Sequence, residues 1–211
     1  MSLVGKKFPN LSVDAISFLG DNLKINVFEE ATKNNQKVLL FWYPKDFTFV
    51  CPTELHAFQN ALEEFEKRNT KVIGASCDTN EVHFAWLNTS KKDGGIEGVT
   101  YPLIADTTRN LSSLLGILDI EEEYNEEVDE VLLSGSNVTF RATYLIDEEG
   151  KIFHESVNDM PLGRNVNEYL RLIDAYTHVQ TKGEVCPANW EEGKEAMTAD
   201  RLSTAAYLSQ N

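Results

Sequence analysis

The sequence predicts an α/β protein in which helices pack on both faces of a central sheet. Two observations predict this class. Short apolar runs of the kind that form strands buried on both faces recur along the chain. Between them lie segments whose apolar residues recur every three or four positions, as they do on one face of a helix. Because the two kinds of segment alternate, a layered fold follows.

The strands and helices can be assigned in order. Residues 38–43, 72–77 and 142–146 are predicted as buried strands. A polar turn that ends in Gly150 follows the third of them, so residues 151–157 are predicted as its hairpin partner. The helical patterns run from about Thr53 to Lys67, from Asp78 to Trp86, from Thr108 to Leu115, and from Val166 onward through Ile173.

Two segments differ from this alternation. Residues 110–140 contain no Lys or Arg and eight Asp or Glu, which predicts a solvated acidic loop or short helix with no part in the core. After His178 the chain becomes polar and irregular, which predicts an extended arm. We therefore expect a domain of residues 1–178 and a C-terminal arm of residues 179–211.

Composition and charge exclude several classes of function. The net charge of -15 over 211 residues disfavours nucleic acid as a partner, because an acidic surface repels phosphate. No stretch approaches the roughly 20 apolar residues that span a bilayer. The N-terminal residues lack the apolar segment of a secretory signal. We expect a soluble, cytoplasmic protein that binds neither membranes nor nucleic acid.

The three cysteines, Cys51, Cys77 and Cys186, are too few and too far apart for the disulfide framework of a small secreted domain. The chain has no CxxC pair, and its four histidines are not at zinc-ligand spacings. We expect neither a metal site nor a bound cofactor. Structural thiols, reactive thiols or a mixture of the two remain.

Cys51 lies where a buried strand has ended and a helix begins. Pro52 suits the first helical turn, where its missing N–H is not needed. Free backbone N–H groups and the positive end of the helix dipole meet there and stabilise a thiolate. Thr48, three residues earlier, could reach the sulfur or a bound oxygen substrate. The position favours a reactive cysteine over a buried structural one.

Pro44, Thr48 and Cys51 form the pattern P-x3-T-x2-C, and the stretch Phe41–Leu55 resembles the peroxidatic loop of peroxiredoxins. Residues 183–190, Gly-Glu-Val-Cys-Pro-Ala-Asn-Trp, are similar to the resolving-cysteine segment of the typical two-cysteine group, which includes bacterial alkyl hydroperoxide reductase C subunits.

Two further segments carry the same resemblance. Residues 157–164 resemble the family's segment between those two sites, and residues 3–6 match its usual opening. The resemblance therefore covers nearly the whole chain.

The resemblance implies a thioredoxin-like fold with a central mixed sheet, and a peroxidase that reduces hydrogen peroxide and organic hydroperoxides. It makes Cys51 the peroxidatic thiolate, which becomes a sulfenic acid. Thr48 would bond the substrate oxygens and Pro44 would shield the sulfur from water. Arg141 would stabilise the thiolate and the charge on the departing oxygen, as a permanently charged guanidinium does.

Two more residues are assigned to this site by the resemblance. Glu54 would orient arginine, and Arg164 would be the second arginine of that network. An alternative for Glu54 is an acid favoured in the first helical turn by the dipole. An alternative for Arg164 is a surface arginine that caps a loop.

Cys186 resembles the resolving thiol. The resemblance implies an intersubunit Cys51–Cys186 disulfide, for which the loop that carries Cys51 must unwind, because a disulfide tolerates only short Cα separations. Thioredoxin or a dedicated flavoprotein reductase would restore both thiols by exchange. The family's usual assembly is a homodimer that closes into a decamer, and its usual role is antioxidant.

Other cysteine and histidine residues receive no catalytic role. Cys77 ends a buried strand and is expected to be a core residue. His56 and His83 lie on predicted helices without an evident partner. Gly94–Gly98 and Tyr207–Leu208 depart from motifs of peroxide-sensitive members, which predicts intermediate resistance to overoxidation.

Two alternative functions can be compared with the peroxidase on the same residues. A thiol–disulfide oxidoreductase on the same fold would carry CxxC, whereas Thr48 stands three residues before Cys51. A redox-regulated holdase chaperone or peroxide-signalling adaptor is the second alternative, and holdase activity retained without Cys51 would distinguish it from a peroxidase.

Overall fold

A computed structural model describes residues 2–210 and divides between Arg164 and Asn165 into two compact units. The strands are β1 (Ser12–Ile16), β2 (Asn22–Asn26), β3 (Lys37–Trp42), β4 (Thr70–Ser76), β5 (Leu103–Ala105), β6 (Glu121–Asn125), β7 (Glu130–Ser134), β8 (Arg141–Ile146) and β9 (Ile152–Asn158). The helices are α1 (Val27–Asn34), α2 (Cys51–Asn60), α3 (Leu62–Lys67), α4 (Asn80–Leu87), α5 (Asn110–Leu115), α6 (Val166–Lys182) and α7 (Arg201–Gln210).

The first unit is built on a seven-stranded mixed sheet in the order β2-β1-β5-β4-β3-β8-β9. The adjacent strands β3, β4 and β5 are parallel, and the remaining neighbours are antiparallel. Every residue of β3 is buried, as expected for a central strand covered on both faces. The predicted α/β fold is confirmed, and the predicted strand bounds differ from these by one or two residues.

Strand β3 places α2. Its even-numbered residues, such as Leu40, belong to one hydrophobic cluster together with β4 and β8 side chains. Successive side chains of a strand point to opposite faces, so Phe41 points the other way and stacks on Phe58 of α2, with ring centroids 4.1 Å apart. This contact holds α2 against the sheet, and α2 begins at Cys51.

The helix bounds differ more from prediction. The predicted helix 53–67 is two helices, because the chain breaks at Ala61, whose φ and ψ of -97° and 2° are not helical. The helix predicted from Asp78 begins at Asn80, because the Thr79 side chain, and not that of Asp78, accepts a hydrogen bond from the N–H of Val82.

The acidic segment forms a separate two-stranded hairpin, β6 and β7, so the prediction of a loop or short helix is wrong. Apolar side chains lie opposite acidic and aromatic ones across the strands, for example Glu122 with Leu133 and Tyr124 with Val131. The prediction that the segment is solvated is confirmed for β6 and β7, where nine of ten residues are exposed. The prediction that residues 110–140 have no part in the core is wrong at their N-terminal end, because Leu111, Leu115 and Ile117 belong to the hydrophobic core.

The main helix of the second unit is α6, which begins at Val166, the residue from which the sequence predicts it. The left-handed Gly183 ends this helix. Residues 184–200 are largely irregular, with one bridge between Val185 and Met197, and α7 follows. The predicted boundary after residue 178 falls inside α6, and the division into a domain and an arm stays a prediction. No helix in residues 2–210 is long and apolar enough to span a bilayer.

Candidate active site

Cys51 is the first residue of α2 and is fully buried. Residues 43–50, here called the 43–50 loop, connect it to β3. Val50 precedes the helix and supplies no side-chain cap to its first turn, and Pro52 stands at the start of that turn. The positive end of the helix dipole is therefore directed at the sulfur without a competing side chain.

Arg141, the first residue of β8, lies beside that sulfur. Its Nη1 is 3.3 Å from Cys51 Sγ and donates to Glu54 Oε2 at 2.7 Å. Its Nε donates to the carbonyl of Met160 at 2.6 Å, and the residue is buried. Three contacts thus fix a permanently charged group against the cysteine, which favours the thiolate.

Glu54 lies one helical turn after Cys51 and joins two arginines. Its carboxylate accepts from Arg141 and, at 2.8 Å each, from Nε and Nη2 of Arg164. It also accepts from the backbone N–H of Arg164 at 3.0 Å. Four donors thus hold this buried carboxylate by specific bonds. The helix dipole alone, which was the alternative explanation for Glu54, does not account for its position.

Arg164 is buried, with 1% of its side chain exposed, so the alternative of a surface arginine is wrong. Its Nη1 donates to the carbonyls of Trp42 and Ala142 and to Thr143 Oγ1 at 2.9, 3.0 and 3.1 Å. The guanidinium also lies 5.1 Å from the centroid of the Phe41 ring, which stabilises a buried cation further. Arg164 therefore ties β3, β8 and α2 together at the site.

The two other loop residues predicted for the site are less tightly bound. Pro44 is buried, and Thr48 is half-buried with its hydroxyl donating to the carbonyl of Lys45 at 2.8 Å. The structure thus joins Cys51, Glu54, Arg141 and Arg164 by direct contacts. It leaves the Thr48 oxygen with acceptor capacity for a further donor.

Cys186 lies in the second unit, half-buried, with Sγ 3.7 Å from the carbonyl of Ala175. Burial raises the pKa of this thiol, and the nearby Arg171 opposes the shift only in part. Cys186 is therefore a neutral thiol at neutral pH. All three cysteines are free thiols in this structure.

Sequence reasoning missed a buried pair beside the 43–50 loop. His83 is fully buried, and its Nδ1 lies 2.7 Å from Oδ2 of Asp46. The expectation that His83 has no partner is therefore wrong. Burial raises the pKa of Asp46, and the bond to His83 opposes that shift. His56 also has a partner, since its Nε2 lies 3.1 Å from the carbonyl of Gly95.

Cys77 is half-buried, which differs from the expected core position. Its Sγ lies 3.9 Å from Ser112 Oγ, and it lines a small cavity of about 200 Å³ with Pro44, Lys45 and Arg109 among others. Desolvation by burial raises the pKa of Cys77 to about 11. This thiol is therefore protonated and a poor nucleophile at neutral pH.

The arrangement around Cys51 suits attack by a thiolate on an electrophile whose leaving group departs as an anion. A guanidinium lies beside the sulfur and can serve both the thiolate and the charge that develops on a leaving oxygen. Within residues 2–210 no group of three or more His, Cys, Asp or Glu side chains is placed to hold a metal ion.

Comparisons with known proteins agree with this chemistry. Residues 4–155 match the model of the AhpC/TSA family, and residues 175–210 match that of the C-terminal domain of 1-Cys peroxiredoxin. Alkyl hydroperoxide reductase C of Helicobacter pylori is 40% identical over 211 residues, covering 99% of this chain and 98% of that protein.

Two solved structures are also similar. The reduced 2-Cys peroxiredoxin of Plasmodium vivax has a TM-score of 0.87 and 35% identity, covering 99% of this chain and all of that one. Plasmodium yoelii Prx1a modified at its N-terminus, described as an artifactual octamer, has a TM-score of 0.71 and 35% identity, covering 88% and 98%.

Proposed function

Because the chain belongs to the AhpC/TSA family of peroxiredoxins, it is a thiol-dependent peroxidase, and we propose that Cys51 is the thiolate that attacks the peroxide. The observation that carries this assignment is the Arg141 guanidinium 3.3 Å from Cys51 Sγ. Burial raises the pKa of Cys77 and of Cys186, which makes each a poorer nucleophile at neutral pH.

The first step is a displacement at oxygen. The Cys51 thiolate donates an electron pair to one peroxide oxygen, an S–O bond forms, and the O–O bond breaks. The other oxygen leaves as hydroxide or alkoxide and takes a proton, so that Cys51 becomes a sulfenic acid and the peroxide becomes water or an alcohol. Arg141 stabilises the charge on the leaving oxygen.

The neighbouring residues orient this step. Thr48 holds the peroxide through its hydroxyl oxygen, and Pro44 excludes water from the sulfur. Glu54 is a positioning residue, because its carboxylate fixes the Nη1 of Arg141 that faces Cys51. Arg164 in turn fixes the carboxylate through its own bonds to β3 and β8.

The second step uses Cys186 of another subunit. Its sulfur attacks the sulfenic sulfur of Cys51, the S–O bond breaks, and the oxygen leaves as water when an intersubunit disulfide forms. Thioredoxin or a flavoprotein disulfide reductase supplies the two electrons that restore both thiols. This role fits an arm of residues 179–211 in a homodimer that assembles to a decamer in the cytoplasm, where the enzyme removes hydrogen peroxide and organic hydroperoxides. The comparisons favour this peroxidase over the holdase or adaptor alternative.

A non-reducing gel tests the assignment of the two thiols. Reduced protein receives one equivalent of hydrogen peroxide, alongside Cys51→Ser, Cys186→Ser and, as a matched control, Cys77→Ser. We expect a covalent dimer in the parent protein and in Cys77→Ser, and none in the other two. A parent protein that consumes peroxide but remains monomeric on the gel would refute Cys186 as the resolving thiol and indicate a one-cysteine mechanism.

A further inference from the structure

The 43–50 loop is held on one side by the bonds of a buried aspartate, Asp46, and by a longer contact of the Tyr43 hydroxyl, 3.4 Å from His83 Nδ1. Asp46, at the centre of the loop, is 3% exposed, and its Oδ2 lies 2.7 Å from Nδ1 of His83 on α4. The backbone N–H of Asp46 donates to Asp78 Oδ2 at 2.9 Å. Both anchors belong to the β4–α4 connection and to α4, and neither belongs to the Glu54–Arg141–Arg164 network.

The hydrogen-bond partners of His83 define where its protons lie. Its Nε2 is 3.1 Å from the carbonyl oxygen of Ile104, and a carbonyl only accepts, so Nε2 carries a hydrogen. The 2.7 Å contact between Nδ1 and Asp46 Oδ2 then requires one proton between those two atoms. The pair is therefore either an imidazolium with a carboxylate or an imidazole with a carboxylic acid, and in both forms the bond is short, buried and strong.

The loop needs such an anchor because part of it is strained. Phe47 has a φ of +54°, in the left-handed region that costs energy for a residue with a side chain. A non-glycine residue keeps this conformation only when its surroundings enforce it. The Phe47 ring packs 5.9 Å from Trp86, which lies three residues after His83 on the same helix. The next residues of the chain lead directly to Cys51.

We propose that the Asp46–His83 bond is a positioning latch that sets how readily the loop carrying Cys51 unwinds. This inference rests on the proposed function, in which a buried Cys51 must leave its place before its sulfur can meet Cys186. While the latch is closed, Cys51 stays beside Arg141, where its sulfenic acid can react with a second peroxide to give a sulfinic acid. When the latch opens, the sulfenic acid becomes available to Cys186. The latch thus sets the ratio of disulfide to sulfinic acid.

Two substitutions at one position separate the latch from a general loss of stability. Asp46→Ala removes the bond. Asp46→Asn keeps its size, and its amide N–H donates to the Nδ1 lone pair of a neutral His83, so it should rescue the latch. Asp106→Ala is the matched control, because Asp106 is also a fully buried aspartate with bonds to backbone N–H groups, but those belong to α5.

The first measurement is amide hydrogen exchange of residues 45–51 in the reduced protein. The second is the ratio of sulfinic acid to disulfide, by mass spectrometry of intact protein after a series of peroxide doses. For Asp46→Ala we expect exchange to accelerate about tenfold and the ratio of sulfinic acid to disulfide to fall about tenfold, as for the loss of one hydrogen bond. Asp46→Asn should stay within about threefold of the parent protein in both, by the same reasoning.

The latch is refuted if Asp46→Ala leaves both readouts unchanged, or if Asp106→Ala changes both as much. Equal effects of Asp46→Ala and Asp46→Asn would also overturn it, because the amide retains the bond. Failure of the proposed function gives a different result, since the parent protein would then form no disulfide at all. The exchange measurement still decides the latch in that case, because it needs neither peroxide nor Cys186.

Discussion

Replacing Glu54 by glutamine tests whether the buried carboxylate positions Arg141. The substitution keeps the size of the side chain but removes the negative charge that two buried guanidinium groups share at 2.7 and 2.8 Å. Oε2 accepts from both arginines and Oε1 from Arg164 alone, so the glutamine amide group faces arginine donors at whichever of the two positions it takes. At least one arginine N–H group therefore loses its acceptor in a buried site, and both cations lose the negative charge that they share.

Two magnitudes follow from this geometry. Removing one partner of a buried ion pair costs about 3–5 kcal/mol of folding free energy. When the amide group takes the Oε2 position, Arg141 also loses the bond that fixes the Nη1 facing Cys51, worth about 1.5–3 kcal/mol for a hydrogen bond to a charged group. If that bond acts in the transition state, the rate constant for the first attack on peroxide falls by about 10- to 100-fold.

The assays are urea unfolding at one fixed protein concentration and stopped-flow tryptophan fluorescence with limiting hydrogen peroxide. Glu64→Gln is the matched control, because Glu64 also contacts two cations, Lys67 at 2.7 Å and Arg68 at 3.0 Å, on the surface. We expect this control to lose at most about 1 kcal/mol. A Glu54→Gln protein that matches the control in stability and reacts within about twofold of the parent would refute the reasoning.

Two further predictions concern parts of the chain outside the site. With a pKa of about 11, Cys77 is about one part in a thousand thiolate at pH 8, so brief iodoacetamide treatment at that pH should leave Cys77 almost unlabelled. Labelling of Cys77 should rise about tenfold per pH unit up to pH 10, because only the thiolate reacts. Peptide mass spectrometry measures the labelled fraction of Cys77 at each pH. Labelling at pH 8 as fast as in denatured protein would contradict the raised pKa. Replacing residues 121–134 by a short Gly-Ser turn should leave the peroxidase rate within about twofold and Tm within a few degrees, since exposed substitutions are worth about 0.5 kcal/mol or less. Loss of activity or of cooperative melting would show that the hairpin supports the site.

Features that depend on neighbouring residues could be predicted from the sequence. The strand β3 followed from a run of apolar residues, and the helix start at Cys51 followed from the strand end, Pro52 and the apolar spacing after it. The hairpin β6–β7 was missed because its dense negative charge indicates a solvated loop, although the short apolar run Val131–Leu133 favours a strand. In the structure this run pairs across the hairpin with Tyr124 and two glutamates, and such cross-strand side-chain contacts stabilise the two strands.

Contacts between distant residues could not be derived from local patterns. Glu54 and Arg141 are 87 positions apart, and Glu54 and Arg164 are 110 apart. No periodicity links them, and only the resemblance of their motifs suggested one network. Asp46 and His83 are 37 positions apart and matched no motif used, so the pair emerged only when the sheet brought β3, β4 and β5 side by side.

The buried Glu54–Arg141–Arg164 network and the buried Asp46–His83 pair differ in a way that matters for a cysteine that must both react and move. Both partners of Glu54 are arginines, which keep their charge at every accessible pH, so this network holds Arg141 against the sulfur permanently. The Asp46–His83 pair depends on a single proton and on one bond of 2.7 Å. It also holds a loop that contains a residue in a strained conformation. The Glu54 network therefore keeps the groups that stabilise the thiolate in place. The Asp46–His83 bond anchors the 43–50 loop, and loss of this one bond loosens the loop. Substitutions in the first should change the rate of attack on peroxide, and substitutions in the second should change what becomes of the sulfenic acid afterwards.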